Sequence, residues 1–388
     1  MERLSENKRL KSIEGLRGIC AIVVVISHFV VAFYPAAYWG NSSMSHINNG
    51  MDVKMSQSPF SIFYAGNLAV CIFFVICGFG ITISYFTDGN GLKKTLVNRF
   101  GRMFFPVLTT NLTYYMFLKL NLFSSTSVAE ITGSEWLKNR YLFEGNFVDA
   151  ICDSYFSVLL NGGSKYNGVI WTISYLFWGA FLVFIVLYLC ERSKKRWVVY
   201  LCACLVIWSM GTIGNITYNY FVGFILGIVL ADIYLNDLFK VNLYIFIIFL
   251  IIACFLGAYP MGVEPNNIYR FLNLGKNSAI LWHIISAGLI VYIVINSKKL
   301  GYYFESKIIQ FLGRISFSMF LLHLLILCSF STILFRTLFL LGLNYSSAFI
   351  LTFVLSLFII LGCSYLFFSF IERNITRLLN RIYSYLFE

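Results

Sequence analysis

Apolar runs long enough to cross a bilayer recur along this 388-residue chain, near 16–34, 64–86, 103–123, 169–190, 198–214, 216–235, 243–260, 277–296, 308–335 and 346–371. A single water-soluble core cannot hide that many apolar segments, so lipid has to act as solvent for the excess. The balance of residues agrees: 59% are hydrophobic and 12% charged, against about 25% charged in a soluble domain. Mean hydropathy is +0.78. The pattern predicts an all-α integral membrane protein, a bundle of about ten transmembrane helices. It forms a single polytopic domain over 1–388, with its core at about 10–372 and no separate soluble domain. Gly211 and Gly214 supply the sole break between the fifth and sixth runs, which predicts a tight hairpin there.

Orientation follows from the basic residues. The net charge of +12 sits in short clusters between apolar runs, and most of the 29 Lys and Arg residues fall on one side once the chain is threaded with its N-terminus inside. That cytoplasmic bias implies an even number of spans and places both termini in the cytoplasm. It also accounts for the basic balance without a nucleic-acid partner, for which no motif appears. The first run, Ile19 to Tyr34, has no clean cleavage site and reads as a retained span. The longest connection, about 124–168, falls outside and carries Glu130, Glu135, Glu144, Asp149 and Asp153; it is either functional or a cover for the bundle. Nine of the ten cysteines lie in or beside apolar runs, where they behave as small hydrophobes. No His-x-x-x-His or Glu-x-x-His pair suggests a metal, and neither a phosphate-binding glycine loop nor a Gly-x-Ser-x-Gly turn occurs.

Ionisable residues at membrane depth are costly and therefore candidates for function. In the first span, Arg17 and His28 lie eleven residues apart, about 16 Å along a helix and close to three whole turns. One face thus carries an arginine near the inner headgroups and an imidazole past the middle of the hydrocarbon. Such an imidazole either exchanges protons and acyl groups or is a hydrogen-bonded packing histidine. Arg99 and Arg102, three apart, form either a guanidinium fork for phosphate oxygens or ordinary cytoplasmic charge. His323 in the ninth span reads either as part of the substrate path or, at least equally, as a packing histidine, and His283 in the eighth reads as a packing histidine. His46 falls in an outer loop and is expected to be solvated. Asp232, near the inner end of the sixth span, reads as a snorkelling or capping acid. Ser27, Trp171 and Ser174 are candidates for the substrate path, Trp171 equally for an interfacial anchor.

Taken in order, several segments resemble the membrane acyltransferase-3 family. EGLRGICAIVVVISHF resembles its opening span, FFVICGFGI at 73–81 its second-span signature, and RFGRMFFP at 99–106 its Arg-x-x-Arg element. WTIS at 171–174 sits where the family has a Trp-Thr/Ser-Leu-Ser run, GRISFSMFLLH at 313–323 is similar to its late histidine segment, and FIERN at 370–374 to its closing Ile-Glu-x-Pro. The resemblance implies a membrane O-acyltransferase that takes acetyl from acetyl-CoA, its acyl-CoA donor, and needs no metal. The acceptor implied is a hydroxyl of a cell-surface polysaccharide or its lipid-linked precursor, and the setting is the bacterial inner membrane. It also implies that His28 is catalytic, that Arg17, Arg99 and Arg102 contact the CoA phosphates, and that His323 matches the family's late histidine.

Two departures stand out. Many members carry Glu five residues after the Trp, where this chain has Leu176, and Asn374 replaces the closing proline. The first puts an acidic or orienting role in doubt; the second changes a helix end. A secondary exporter of glycan intermediates remains an alternative, although no internal repeat favours it. An inactive scaffold is the other.

Overall fold

The computed structural model describes residues 2–87, 91–238, 242–261 and 267–387. The apolar runs fall on helices α1 (Glu2–Phe33), α2 (Gly66–Thr87), α3 (Gly91–Lys119), α4 (Trp171–Arg192), α5 (Arg196–Met210), α6 (Val222–Leu235), α7 (Leu243–Gly257), α8 (Ser278–Asn296), α9 (Lys307–Ile326) and α10 (Tyr345–Phe367). Among the described residues, seven helical stretches are long and apolar enough to cross a membrane: Lys11–Phe33, Gly66–Thr87, Trp171–Arg192, Tyr218–Leu235, Ser278–Asn296, Lys307–Leu340 and Tyr345–Tyr385. Helices α5 and α7 are apolar but only 15 residues long. The expected hairpin is present: Thr212–Ile213 pairs antiparallel with Ile216–Thr217, and Gly211 and Gly214 both adopt φ near +60°.

Helix α10 shows why this architecture needs lipid. Ala348, Thr352, Ser356, Ile360 and Ser364 repeat every four residues and form its buried face, while Ile350 and Phe358 are 60% and 70% exposed. Small and hydroxyl side chains turn inward and large apolar ones turn outward, the polarity of a helix packed in a bilayer. Ser331 Oγ donates to Ser356 Oγ at 2.7 Å across this interface. The chain is an all-α, multi-pass membrane protein.

The site is positioned by one helix crossing. A Cβ at Gly18 would lie 2.5 Å from the Gly313 backbone nitrogen, and one at Gly313 would lie 2.4 Å from the Glu14 carbonyl oxygen. Only residues without side chains allow α1 and α9 to come this close. From Gly18 to His28 is ten residues, and from Gly313 to His323 is also ten, so the two helices run parallel and meet again about 15 Å further along. Helices α2 and α6 are parallel too, Gly223 meeting Phe74 and Gly227 meeting Val75 and Phe79.

The connection after α3 folds into short helices Ser125–Thr132, Glu135–Lys138 and Phe147–Cys152, then a π-helix over Asp153–Asn161. It covers the end of α1, where Ser134 Oγ donates to the Val31 carbonyl at 2.7 Å. His46 corrects the expectation of a solvated loop residue. Its Nε2 is 2.8 Å from the Thr132 carbonyl, and its ring stacks on Tyr345 with centroids 4.0 Å apart. A neighbouring loop and α10 had to converge on it, which local sequence does not show.

Gly313→Ala is expected to cost about 1–3 kcal/mol through forced separation of α1 and α9, read as a lower midpoint of thermal unfolding in detergent. Gly362, which has open space where its Cβ would go, is the control; equal effects of Gly313→Ala and Gly362→Ala would contradict the crossing.

Candidate functional site

At the second meeting point of α1 and α9, the rings of His28 and His323 have centroids 4.9 Å apart. His323 is fully buried, whereas His28 keeps partial exposure. The proton positions follow from the partners. His323 Nδ1 lies 3.0 Å from the Met319 carbonyl, an acceptor only, so Nδ1 carries the proton. With one proton per ring, His323 Nε2 then presents a lone pair. His28 Nδ1 sits 3.2 Å from that lone pair and 2.9 Å from the Val24 carbonyl, so it donates to both. The remaining nitrogen, His28 Nε2, carries an unshared pair with no hydrogen-bonding partner among the described residues. Such an atom is what a general base or an acyl-accepting nucleophile requires.

A cavity of about 850 Å³ opens at the Arg17 end of the same two helices. Its charged part is formed by Glu14, Arg17, Arg102 and Glu372, and its apolar part reaches Phe73 and Phe320. Phe320 in turn faces His323, with ring centroids 6.1 Å apart. His28 is therefore beyond the Phe73–Phe320 pair and does not itself line the cavity. Arg102 Nη2 donates to Asn380 Oδ1 at 3.2 Å. The Arg99 side chain lies outside the described residues.

Helix α4 contributes Thr172, Ile173 and Leu176 to this cavity, not Trp171 or Ser174. Trp171 packs on Tyr175 and Tyr220. Ser174 Oγ donates to the Leu159 carbonyl at 3.2 Å, fastening α4 to the π-helix. Ser27 is buried against Gly66, where α1 meets α2. Leu176, standing where an acid was expected, thus faces the cavity, and the carboxylates present there are Glu14 and Glu372. Glu372 accepts a hydrogen bond from Ser318 Oγ and lies within electrostatic reach of Arg17. Sequence reasoning assigned Glu372 no role, although it stands in the FIERN segment.

The other polar candidates have partners. His283 Nε2 donates to the Tyr259 carbonyl at 3.0 Å, and its Nδ1 accepts from Asn67 Nδ2 at 2.7 Å. Both ring nitrogens are occupied in a strut between helices. Asp232 pairs with Arg196 at 2.8 Å. Among the described residues no group of three metal-binding side chains occurs.

The acyltransferase domain model of the acyltransferase-3 family matches residues 10–369. The chain belongs to that family and is a membrane acyltransferase. No curated protein and no solved structure matches the chain.

The geometry makes a prediction about reactivity. Diethyl pyrocarbonate, which acylates imidazole nitrogens bearing a free pair, is expected to modify His28 well before His283 or His323, as read by peptide mass spectrometry. Faster modification of either of those two would contradict the proton assignment.

Proposed function

We propose that this acyltransferase moves an acetyl group from acetyl-CoA to a hydroxyl of a surface polysaccharide or its lipid-linked precursor, with His28 as the reacting centre. The observation that carries the reading is the unshared pair on His28 Nε2, next to a cavity whose far rim holds Arg17 and Arg102. We place the chain in a bacterial inner membrane, as about ten spans with both termini in the cytoplasm. The basic loops support that side, and the parallel pairs α1–α9 and α2–α6 suit alternating spans.

In this reading the CoA phosphates rest on Arg17 and Arg102, with Arg99 a further contact. The pantetheine arm follows the apolar wall past Phe73 and Phe320, whose rings are 6.5 Å apart, so one of them has to turn aside. His28 Nε2 takes the proton of the acceptor hydroxyl as its oxygen attacks the thioester carbonyl. The C–S bond breaks, the acetyl group remains on oxygen, and the proton returns to the departing thiolate. His323 is a positioning residue: it holds the Nδ1 proton of His28 and so keeps Nε2 free. Ser27, Trp171 and Ser174 fit better as supports of the helices around the path than as groups touching substrate.

His28→Ala is expected to lower acetyl transfer by about 100-fold or more, measured as acetyl content of the surface glycan and as transfer by purified protein. Unchanged glycan acetylation in cells lacking the protein would sink the proposal. An acyl adduct trapped on His28 would replace direct transfer by a two-step relay. Arg17→Gln and Arg102→Gln are each expected to raise KM for acetyl-CoA about tenfold or more, the worth of one charge-assisted hydrogen bond. Unaltered KM in both would remove the donor from this rim.

A further inference from the structure

On the side of His28 away from the cavity, the folded connection after α3 brings two residues that the mechanism has not used. The Trp136 ring lies over His28, with centroids 5.6 Å apart. The Arg140 guanidinium lies on the Trp136 ring, 4.3 Å from its centroid. A column therefore runs from His323 through His28 and Trp136 to Arg140. Gly168 makes room for the last of these, since a Cβ there would sit 2.2 Å from Arg140 Nη1.

Arg140 has no carboxylate partner among the described residues, though it is partly buried. His28, Tyr114, Tyr141 and Cys328 all lie within electrostatic reach of it. Tyr114 is fully buried, its hydroxyl lies beside that of Tyr141, and neither hydroxyl has a hydrogen-bonding partner of good geometry among the described residues. A half-buried cation and two unsatisfied phenols are costly when left to themselves. An oxyanion beside the guanidinium would balance its charge and could accept from the phenols, and a guanidinium held over an indole is already placed to receive it.

We propose that Arg140, backed by Trp136 and joined by Tyr114 and Tyr141, is an acceptor-recognition site for an anionic group, the carboxylate or phosphate of a sugar whose hydroxyl is presented to His28. It rests on the acyl-transfer reading for its place in the reaction, but its occupancy is a separate matter. The donor enters from one side of the imidazole, and the charged end of the acceptor is fixed on the other. Arg140 then selects among acceptors without touching the acyl group.

The experiment measures binding of glucuronate, glucose 6-phosphate and glucose to the full chain in zwitterionic nanodiscs, with acetyl transfer to the same three compounds measured in parallel. Wild type is expected to bind at least one of the two anions tenfold or more tightly than glucose. Binding of glucuronate alone assigns the site to a carboxylate, and binding of glucose 6-phosphate alone to a phosphate. Arg140→Gln is expected to remove the preference, and Gly168→Ala to weaken it by displacing the guanidinium, with acetyl-CoA binding unchanged in both. Equal binding of all three compounds, or an anion preference that survives Arg140→Gln, would overturn the proposal. So would displacement of the anions by added phosphatidylglycerol, which would assign the arginine to lipid headgroups. Anion binding without any acyl transfer would uphold this site and contradict the transferase reading instead; transfer without charge preference would do the reverse.

Discussion

The contact on which the arrangement depends is the crossing of α1 and α9 at Gly18 and Gly313. Two helices from opposite ends of the chain approach there until backbone meets backbone. Because they run parallel and each carries its histidine ten residues further on, the crossing sets the distance between the two imidazoles. The His323 ring, held at Nδ1 by the Met319 carbonyl, then dictates where His28 keeps its proton. A packing constraint between glycines becomes a statement about which nitrogen is a base.

The same crossing separates the two compartments of the site. At one end the charged rim of Arg17, Arg102, Glu14 and Glu372 opens into a cavity that reaches Phe73 and Phe320. At the other, the folded connection lays Trp136 and Arg140 over His28. The imidazole therefore stands between a cavity with a basic rim and a cap that reaches it from the opposite side. In the proposed reaction the first side would take the donor and the second the acceptor.

Much of the architecture was legible because its causes are local. Apolar run length and the Gly211–Gly214 turn are properties of neighbouring residues, and the separation of His28 from Arg17 along the helix follows from helix rise alone. What could not be read depends on convergence. His28 and His323 are 295 residues apart in the chain. Trp136 and Arg140 belong to no motif and acquire meaning only because their segment folds back over α1. His46 looked like a loop residue in water until Thr132 and Tyr345 closed on it. Ser174 sits in a family segment, yet its hydroxyl goes to the Leu159 carbonyl while Thr172 and Leu176 face the cavity. A shift of one or two positions around a helix separates the two faces, and motif matching does not resolve that shift.

The central claim is that His28 holds its proton on Nδ1, shared with His323, and leaves Nε2 bare. The chain has only four histidines, so the ring nitrogens of isotope-labelled protein can be assigned by nuclear magnetic resonance after single substitutions. The account expects His28 to carry its proton on Nδ1 and none on Nε2, with the Nδ1 signal moving when His323 is replaced by alanine. A proton on Nε2, or a His28 spectrum indifferent to His323→Ala, would contradict it.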